Sequence, residues 1–319
     1  MTFFITTPIY YVNDIPHIGH AYTTIACDIF SRFNKLRNED TFFLTGTDEH
    51  GQKVEKASLI QNKDTNKFVD EMSQNFRNLI PILGCEIDDF IRTTENRHKK
   101  AAQFLWNQLK KNDQIYLSNY EGWYSVRDEA FYLESELKKV ENGFIAPSGA
   151  PVEWVQEESY FFKLSEWEDK LIKYYEKNTD AILPKSRYNE VLSFIKGGLK
   201  DLSISRTTFN WGIKVPDAEN HVMYVWIDAL CNYITALNYP NIDNDTFKKF
   251  WPGIHIVGKD ILRFHAVYWP AFLMAADLDP PKKIFAHGWW TNEGKKISKS
   301  VGNTISPYEI IQQYGLDQI

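Results

Sequence analysis

Two kinds of apolar spacing alternate along the first 84 residues. Apolar and β-branched runs at residues 3–9 and 41–44 predict two strands. A helix is predicted from about Gly19 by apolar residues three or four positions apart, namely Ile25, Ile29, Phe33 and Leu36. The same spacing predicts a second helix, ending at Gly84 and marked by Phe68, Met72, Phe76, Ile80 and Leu83. This alternation predicts an α/β fold with a Rossmann-like, doubly wound parallel sheet.

The pattern changes at residues 115–167, which are rich in Tyr, Trp, Glu and Gly and contain short β-like pieces. We predict an inserted module with its own small sheet there, followed by a helical passage at 191–199. The strand and helix pattern then resumes, with strands predicted at 221–227, 254–257 and 283–286 and a long helix at 261–276. The insertion is therefore expected to split the parallel sheet in sequence.

These changes divide the chain into four parts. Residues 1–114 are predicted to form the first half of the Rossmann-like domain, and 214–285 the second half. Residues 115–213 hold the insertion and its helical return, and 286–319 begin a further region that carries a basic loop.

Composition narrows the function classes. The formal charge is −6 over 319 residues, so any contact with nucleic acid must use local basic clusters such as Lys282-Lys283 and Lys295-Lys296 with Lys299. No apolar run approaches the roughly 20 residues that span a bilayer, and the N-terminus lacks the basic start of a targeting peptide. We expect a cytoplasmic monomer with no membrane contact.

The first candidate for chemistry is Pro16-His17-Ile18-Gly19-His20, where a predicted strand gives way to a helix. Two imidazoles three positions apart at a helix N-terminus can both face a polyphosphate, which the free N–H groups and the helix dipole also attract. Gly19 lets a nucleotide approach the backbone closely. Two incidental histidines are the alternative interpretation.

The second candidate is Lys296-Ile297-Ser298-Lys299-Ser300, in a loop between Gly294 and Gly302. Two lysines on such a loop can close on a triphosphate and neutralise the charge that develops as pyrophosphate leaves. A solvated basic loop is the alternative if this segment is considered alone.

Together the two segments resemble the HIGH and KMSKS motifs of class I aminoacyl-tRNA synthetases, with Ile297 in place of Met. Further segments are similar to methionyl-tRNA synthetases in particular and run in order along nearly the whole chain: residues 7–13, 43–51, 224–229, 257–261, Phe264-His265 and Trp269-Pro270. The chain is thus identified as a member of that family, in which the insertion is the connective-peptide module.

The resemblance implies roles for particular residues. It places these in the methionine side-chain pocket: Ile9, Tyr11, Trp226, Ala229, Leu230, Tyr233, Ile261 and His265. It implies that Asp48 binds the substrate ammonium group. The residues that it implies for ATP binding are His17, Gly19, His20, Gly258, Asp260 and Lys299. The catalytic set that it implies is His17, His20, Lys296 and Lys299, acting on ATP with Mg²⁺. His50 could be a surface histidine and receives no role.

Two features depart from many family members. Their connective-peptide module carries zinc knuckles built from cysteines, whereas Cys27, Cys85 and Cys231 lie far apart without a CxxC pair, which predicts the zinc-free branch and no metal site. The chain also ends in a helix predicted to open at Ser306-Pro307, before the anticodon-binding domain. We expect methionyl-adenylate formation from L-methionine and ATP, but weak charging of tRNA(Met).

Three other functions compete with this interpretation. A synthetase for leucine, isoleucine or valine would need a long editing insertion, and the predicted insertion is too short. A nucleotidyltransferase with an HxGH motif would be shorter and would lack the Asp48 and Trp226 segments. An RNA-binding paralogue without catalysis would need a broken site, whereas every expected ATP-site position is filled.

Overall fold

The computed structural model of the chain describes residues 2–140, 143–289, 291–292, 295–296 and 305–319, with backbone only at 291–292 and 295–296. The α-helices in these ranges are α1 Ile18–Leu36, α2 Gln52–Ile60, α3 Thr65–Ile82, α4 Asn96–Lys111, α5 Glu168–Lys177, α6 Lys185–Lys196, α7 Val225–Leu230, α8 Asn232–Thr235, α9 Asp245–Phe250, α10 Trp269–Ala275 and α11 Pro307–Tyr314. None of them is long and apolar enough to cross a bilayer.

The strands of the same ranges are β1 Thr2–Thr6, β2 Tyr10–Tyr11, β3 Asp40–Asp48, β4 Asp89–Arg92, β5 Ile115–Ser125, β6 Ala130–Tyr132, β7 Lys138–Val140, β8 Gly143–Ile145, β9 Glu153–Phe162, β10 Ile182–Leu183, β11 Leu202–Ser203, β12 Ser205–Arg206, β13 Lys214–Val215, β14 Ala218–Met223, β15 Ile254–Gly258, β16 Lys283–His287, β17 Thr291–Asn292 and β18 Lys295–Lys296.

A parallel sheet forms the centre of the molecule, in the order β10-β16-β15-β1-β3, with β2 and β4 also paired to β3. In register, Ile5 of β1 lies opposite Ile254 on one side and Phe43 on the other. Strands from both ends of the sequence therefore meet in its middle, and the prediction of an α/β fold with a sheet split by an insertion is confirmed. The chain halves join at β1 and β15, where the strand order reverses and ligands of such sheets bind.

The insertion has its own antiparallel sheet, in the order β11-β9-β5-β6. Its long strands β5 and β9 pair from Ile115 opposite Phe162 to Tyr124 opposite Glu153. The predicted part 115–213 also contains β10, which leaves this module and pairs with β16 at the edge of the parallel sheet. The segment that follows the module therefore contributes an edge strand to the central sheet.

The face of α1 is a correction to the sequence prediction. The helix begins near Gly19 as expected, but Ile29, Phe33 and Leu36 are exposed, with 57, 54 and 85 % of their surface accessible. The buried face consists mainly of small and polar residues, namely Ala21, Thr23, Thr24, Cys27, Asp28, Ser31 and Asn34. Several of these polar groups have partners: for example, Asp28 Oδ1 accepts the Glu86 N–H at 2.8 Å, and Asn34 donates to the Phe30 carbonyl at 2.8 Å.

Other predicted elements were also wrong or incomplete. The strand predicted at 3–9 ends at Thr6, because Pro8 has no N–H to donate, and pairing resumes at β2. The strand predicted at 221–227 is β14, antiparallel to β12 and β13 and outside the parallel sheet, followed by α7. A short apolar run cannot by itself distinguish a buried helix from a strand. The sequence interpretation missed α2, β4 and α4.

Two helices near the C-terminal end also differ from prediction. The helix predicted at 261–276 is interrupted by a π-helical turn, Phe264–Tyr268, before α10 begins. The helix predicted to run to the end of the chain opens as expected, with Ser306 as N-cap, but ends at Tyr314. Gly315 follows it with a φ of 84°, a left-handed conformation that glycine adopts without strain.

Candidate functional site

A cavity of about 1380 Å³ opens at the carboxyl ends of the parallel strands. Its lining includes every predicted site residue that the structure describes in full: Ile9, Tyr11, His17, Gly19, His20, Asp48, Trp226, Ala229, Leu230, Tyr233, Gly258, Asp260, Ile261 and His265. For Lys296 the structure describes only the backbone, in β18, and Lys299 lies outside the described residues. The remaining predicted residues thus come together at one edge of the sheet.

The two histidines cap the N-terminus of α1 for each other. His17 Nδ1 accepts the Gly19 N–H at 3.1 Å, and His20 Nδ1 accepts the His17 N–H at 3.0 Å. Because both Nδ1 atoms are acceptors, the proton of each neutral ring must be on Nε2. The rings lie 3.9 Å apart between centroids. The cap therefore fixes two Nε2–H donors at the positive end of the helix dipole, an arrangement that can bind phosphate.

Gly19 is required by this cap. A Cβ at that position would lie 2.9 Å from Cε1 of His17, closer than non-bonded carbons pack. The His20 ring is held in turn by Tyr10 and Phe76, whose ring centroids lie 4.8 and 5.1 Å away. The Tyr10 hydroxyl also shares a hydrogen bond with Thr24, 2.8 Å away in α1. The orientation of the imidazoles is thus fixed by packing before any ligand arrives.

The ends of β15 and β16 form the neighbouring wall. Gly258 ends β15, and Asp260 follows in a 3₁₀ turn, Lys259–Ile261. His287 ends β16, and its Nε2 lies 3.0 Å from Thr23 Oγ1 of α1. Sequence reasoning missed His287, although its place at the end of a predicted strand was a usable signal.

The apolar part of the cavity is walled by rings. Trp226 of α7 stacks on Phe264 with centroids 3.8 Å apart and planes at 8°. His265 donates from Nδ1 to the Ile261 carbonyl at 2.9 Å, so its Nε2 accepts from the Tyr233 hydroxyl, at 2.7 Å. Burial lowers the pKa of His265 to about 4. This wall is therefore uncharged at neutral pH, and a slender apolar group fits against it.

The buried histidines give the protein a pH-dependent stability. His265, with its pKa lowered to about 4, takes up a proton more readily in the unfolded chain, so stability falls as pH drops from about 6.5. The loss from this group approaches about 3 kcal/mol by pH 4. We expect His265→Gln to flatten the fall of the unfolding free energy between these pH values, measured by urea denaturation. An unchanged slope would contradict this assignment, since His255, whose pKa is also lowered by burial, remains in both proteins.

Asp48 lies at the end of β3 with 7 % of its surface exposed. Its Oδ1 has no hydrogen-bond partner among the described residues. Burial, followed by the charges of Asp228, Glu129 and Glu49, raises its pKa well above the usual range. A buried carboxylate with an open oxygen in a cavity is a binding site for a cation.

A histidine–aspartate–histidine cluster lies directly behind Asp48. Asp228 Oδ2 is 2.6 Å from His50 Nδ1, and Asp228 Oδ1 is 2.7 Å from His98 Nε2. All three residues are buried, so the structure excludes the surface position that the sequence leaves open for His50. Sequence reasoning missed the cluster, because its members come from the end of β3, α4 and α7.

The insertion closes the other side of the cavity. Glu129 accepts hydrogen bonds from the Tyr11 hydroxyl at 3.0 Å and from the Tyr124 hydroxyl, and burial raises its pKa. The Lys53 ammonium of α2 lies over the Tyr11 ring, 5.1 Å from its centroid. A glutamate of the insertion is therefore tied to the strand that carries one pocket wall.

These parts define what the site can do. A neutral ring-walled slot, an open carboxylate and a histidine-capped helix N-terminus face one another across the cavity. A small zwitterion with an apolar side chain fits the slot and the carboxylate, with its own carboxyl group directed towards a phosphate at the helix. The geometry therefore favours a reaction between a carboxylate and a polyphosphate.

Comparison with known proteins points to one family. The sequence matches the family described as "tRNA synthetases class I (M)" over residues 3–141 and 136–319. The methionine–tRNA ligase of Rickettsia conorii is 64 % identical over 319 residues, covering all of this chain and 62 % of that relative. The corresponding ligase of Mesorhizobium japonicum is 53 % identical over 99 % of this chain and 61 % of its own length. The chain thus spans about three-fifths of the relatives that it matches.

Solved structures agree. A Mycobacterium tuberculosis methionyl-tRNA synthetase bound by methionyl-adenylate matches with a TM-score of 0.97 and 48 % identity, over the whole of this chain and 63 % of that one. Its free-state structure matches with a TM-score of 0.85, at 44 % identity over 99 % of this chain and 60 % of that one. The described backbone is therefore more similar to the adenylate-bound form.

Proposed function

Since the chain belongs to the methionyl-tRNA synthetases of class I, we propose that it activates L-methionine with ATP to give methionyl-adenylate and pyrophosphate. The observation that carries the proposal is the open carboxylate of Asp48 between the uncharged ring-walled slot and the histidine-capped N-terminus of α1. The site thus offers a binding partner for each part of methionine and for the triphosphate of ATP. The thioether enters the slot, the ammonium group pairs with Asp48, and the triphosphate lies at α1.

The methionine slot follows the predicted set of Ile9, Tyr11, Trp226, Ala229, Leu230, Tyr233, Ile261 and His265. A thioether is long, thin and polarizable, and its contacts with aromatic rings are favourable. Trp226, stacked on Phe264, holds one ring face of this wall in a fixed orientation, against which an unbranched side chain can pack. Because Tyr233 donates to a neutral His265, no buried charge opposes entry of an apolar group.

In the reaction, the methionine carboxylate attacks the α-phosphate of ATP, and pyrophosphate leaves. No residue needs to move a proton in this step, because the nucleophile is already ionised. The Nε2–H groups of His17 and His20, with Lys296 and Lys299 and the Mg²⁺ that accompanies ATP, would stabilise the charge on the phosphates. Gly258 and Asp260 would take the nucleoside, with Asp260 on the ribose.

The second step is transfer of the methionyl group to the terminal adenosine of tRNA(Met).

We further propose a cytoplasmic monomer that needs no zinc. The insertion's own packing supports the last point: Trp123 and Trp154 lie 5.3 Å apart between ring centroids, and Tyr124 and Phe131 4.9 Å. Such ring contacts supply the stability that a metal provides in small modules with cysteine ligands.

The test is ATP–pyrophosphate exchange measured with each of the twenty amino acids. We expect methionine alone to support efficient exchange, because the slot fits an unbranched thioether and rejects β-branched chains. Trp226→Ala should raise the methionine KM far more than the ATP KM, since the ring lines only the slot. Comparable exchange with isoleucine or leucine would overturn the proposed substrate.

A further inference from the structure

One buried cluster next to the site has no part in the reaction as proposed above. Asp228 accepts one N–H from His50 at 2.6 Å and one from His98 at 2.7 Å, and each side chain is at most 4 % exposed. A neutral imidazole supplies one such N–H, so the contacts themselves require no positive charge. Burial alone would raise the pKa of Asp228, but electrostatic attraction to His50 and the hydrogen bonds from His50 and His98 outweigh it and lower the pKa to about 2.

The cluster joins three elements that the substrate pocket depends on. His50 lies two residues after Asp48, at the end of β3, and also lies against Trp211, whose ring centroid is 5.7 Å away. Asp228 is in α7, between the slot residues Trp226 and Ala229. His98 is in α4 on the far side. The cluster thus sets the distance between the carboxylate and the wall of the slot.

Its charge also bears on Asp48. The charged or titratable groups that face Asp48 are Asp228 from α7, Glu129 from the insertion, Glu49 from β3, Lys53 from α2 and Tyr11 from β2. Glu49 is neutralised by Arg92, with two contacts of 2.7 and 3.0 Å. Of the carboxylates that act on Asp48, Asp228 exerts the largest effect.

Asp228 itself is enclosed. The titratable groups that face it are Asp48, His50, His98 and, between α7 and α8, Cys231. Thr235 closes the far end, with its hydroxyl 3.4 Å from His98 Nδ1. In the part of the chain that the structure describes, no Lys or Arg forms an ion pair with Asp228.

We propose that Asp228 is a positioning residue of the methionine site, which fixes the Asp48 strand end through His50 and adds a second buried negative charge beside the substrate ammonium. This inference rests on the proposed function, because it assumes that Asp48 binds the ammonium group of methionine. Its consequence is a particular pH dependence. An ionised Asp228 favours protonation of Asp48 in the free protein, so methionine must displace a proton when it binds at low pH.

The test compares methionine dissociation constants of the unaltered protein and Asp228→Asn across pH, by calorimetry. Asparagine keeps the shape and one acceptor but removes the charge. At pH 8 we expect methionine binding to weaken by about tenfold to a hundredfold, with ATP binding within about twofold. As pH falls, the difference between the two proteins should narrow, because Asp48 without its neighbour's charge ionises at lower pH. If Asp228 had only a structural role, methionine binding would depend on pH in the same way in both proteins.

A second variant separates position from charge. His50→Gln keeps the charge of Asp228 but loosens its link to β3, so methionine should bind about tenfold more weakly with the pH dependence retained. Asp243→Asn, an exposed carboxyl that pairs with Lys248 at 3.0 Å, is the matched control and should behave as the unaltered protein. If Asp228→Asn does not fold, His50→Gln still decides the positioning part.

The outcomes distinguish this inference from the function it rests on. If the unaltered protein neither binds methionine nor supports methionine-dependent exchange, the proposed function fails. If it does both, and Asp228→Asn loses methionine and ATP affinity equally or keeps the original pH dependence, the role of Asp228 is overturned. Unaltered methionine affinity in His50→Gln would overturn its positioning part.

Discussion

His20→Ala is expected to lower the rate of methionine-dependent pyrophosphate exchange by about 10²–10³-fold, equivalent to about 2.7–4 kcal/mol of transition-state stabilisation. The physical reason is loss of an N–H donor aimed where charge accumulates on the phosphates as pyrophosphate leaves. Methionine binding should change little, because the ring lies at the helix and not in the slot. The measurement is a pair of titrations: exchange rate against ATP, and methionine affinity by calorimetry.

The same substitution also removes a helix cap, which a matched variant can separate from the chemistry. His20 Nδ1 accepts the His17 N–H, and loss of such a cap costs about 0.5–2 kcal/mol of stability. Gln at position 20 can accept the same N–H, so His20→Gln should regain stability while remaining slow in exchange. If His20→Gln recovered the exchange rate as well, the imidazole would be only a cap.

Asp48→Asn is expected to have the second large effect, on methionine affinity. The substrate ammonium group would then be buried without a carboxylate, which costs about 3–5 kcal/mol and weakens binding by roughly 10²–10⁴-fold. ATP binding should be unaffected. Methionine dissociation constants measured by calorimetry in the absence of ATP would check this, and near-normal affinity would show that another group takes the ammonium.

Asp48→Asn should at the same time stabilise the protein without ligand. Burial raises the pKa of Asp48 in the folded state, so ionising it at neutral pH opposes folding. Its contribution to stability is therefore lost as pH rises from the unfolded pKa through the folded one. Asparagine has no such cost, so its advantage in urea denaturation should be present at pH 8 and absent at pH 4. A substitution that stabilises the fold and disables binding is typical of a functional residue.

Sequence was sufficient to predict where the site lies. Residues at the ends of predicted strands, such as Asp48 in β3 and Gly258 in β15, had to meet because the carboxyl ends of parallel strands share one edge. His17 and His20 were similarly placed by the start of a helix. The structure brings these residues around one cavity.

The sequence was insufficient to predict elements in which polar residues are buried and apolar residues are exposed. On α1 the apolar residues Phe33 and Leu36 face outwards, whereas Asp28 and Asn34 are buried. Asp28 accepts the Glu86 N–H, and Asn34 donates to a carbonyl of its own helix. No apolar periodicity predicts such a face. The strand predicted at 221–227 was right only as far as Met223, where β14 ends before α7, since a short apolar run fits a buried helix equally well.

The Asp228 cluster was unpredictable for a third reason. His50 and His98 are 48 positions apart, and Asp228 is 130 positions beyond His98, so only the tertiary fold brings them together. Each residue alone has an ordinary alternative interpretation. Long-range polar contacts of this kind follow from the packing of α4 and α7 against the end of β3, which a single sequence does not encode in any local pattern.

The reciprocal cap of His17 and His20 constrains how this segment can evolve. In a helix start, the side chain at the N-cap and the side chain three positions later are the pair that can each reach the other's backbone N–H. The three-residue spacing of the histidines is therefore imposed by helix geometry as well as by the ligand. Inserting or deleting one residue between them would remove both caps and turn both rings, whatever the nucleotide site tolerated. The contacts that orient the imidazoles therefore also select against insertions and deletions between the two histidines.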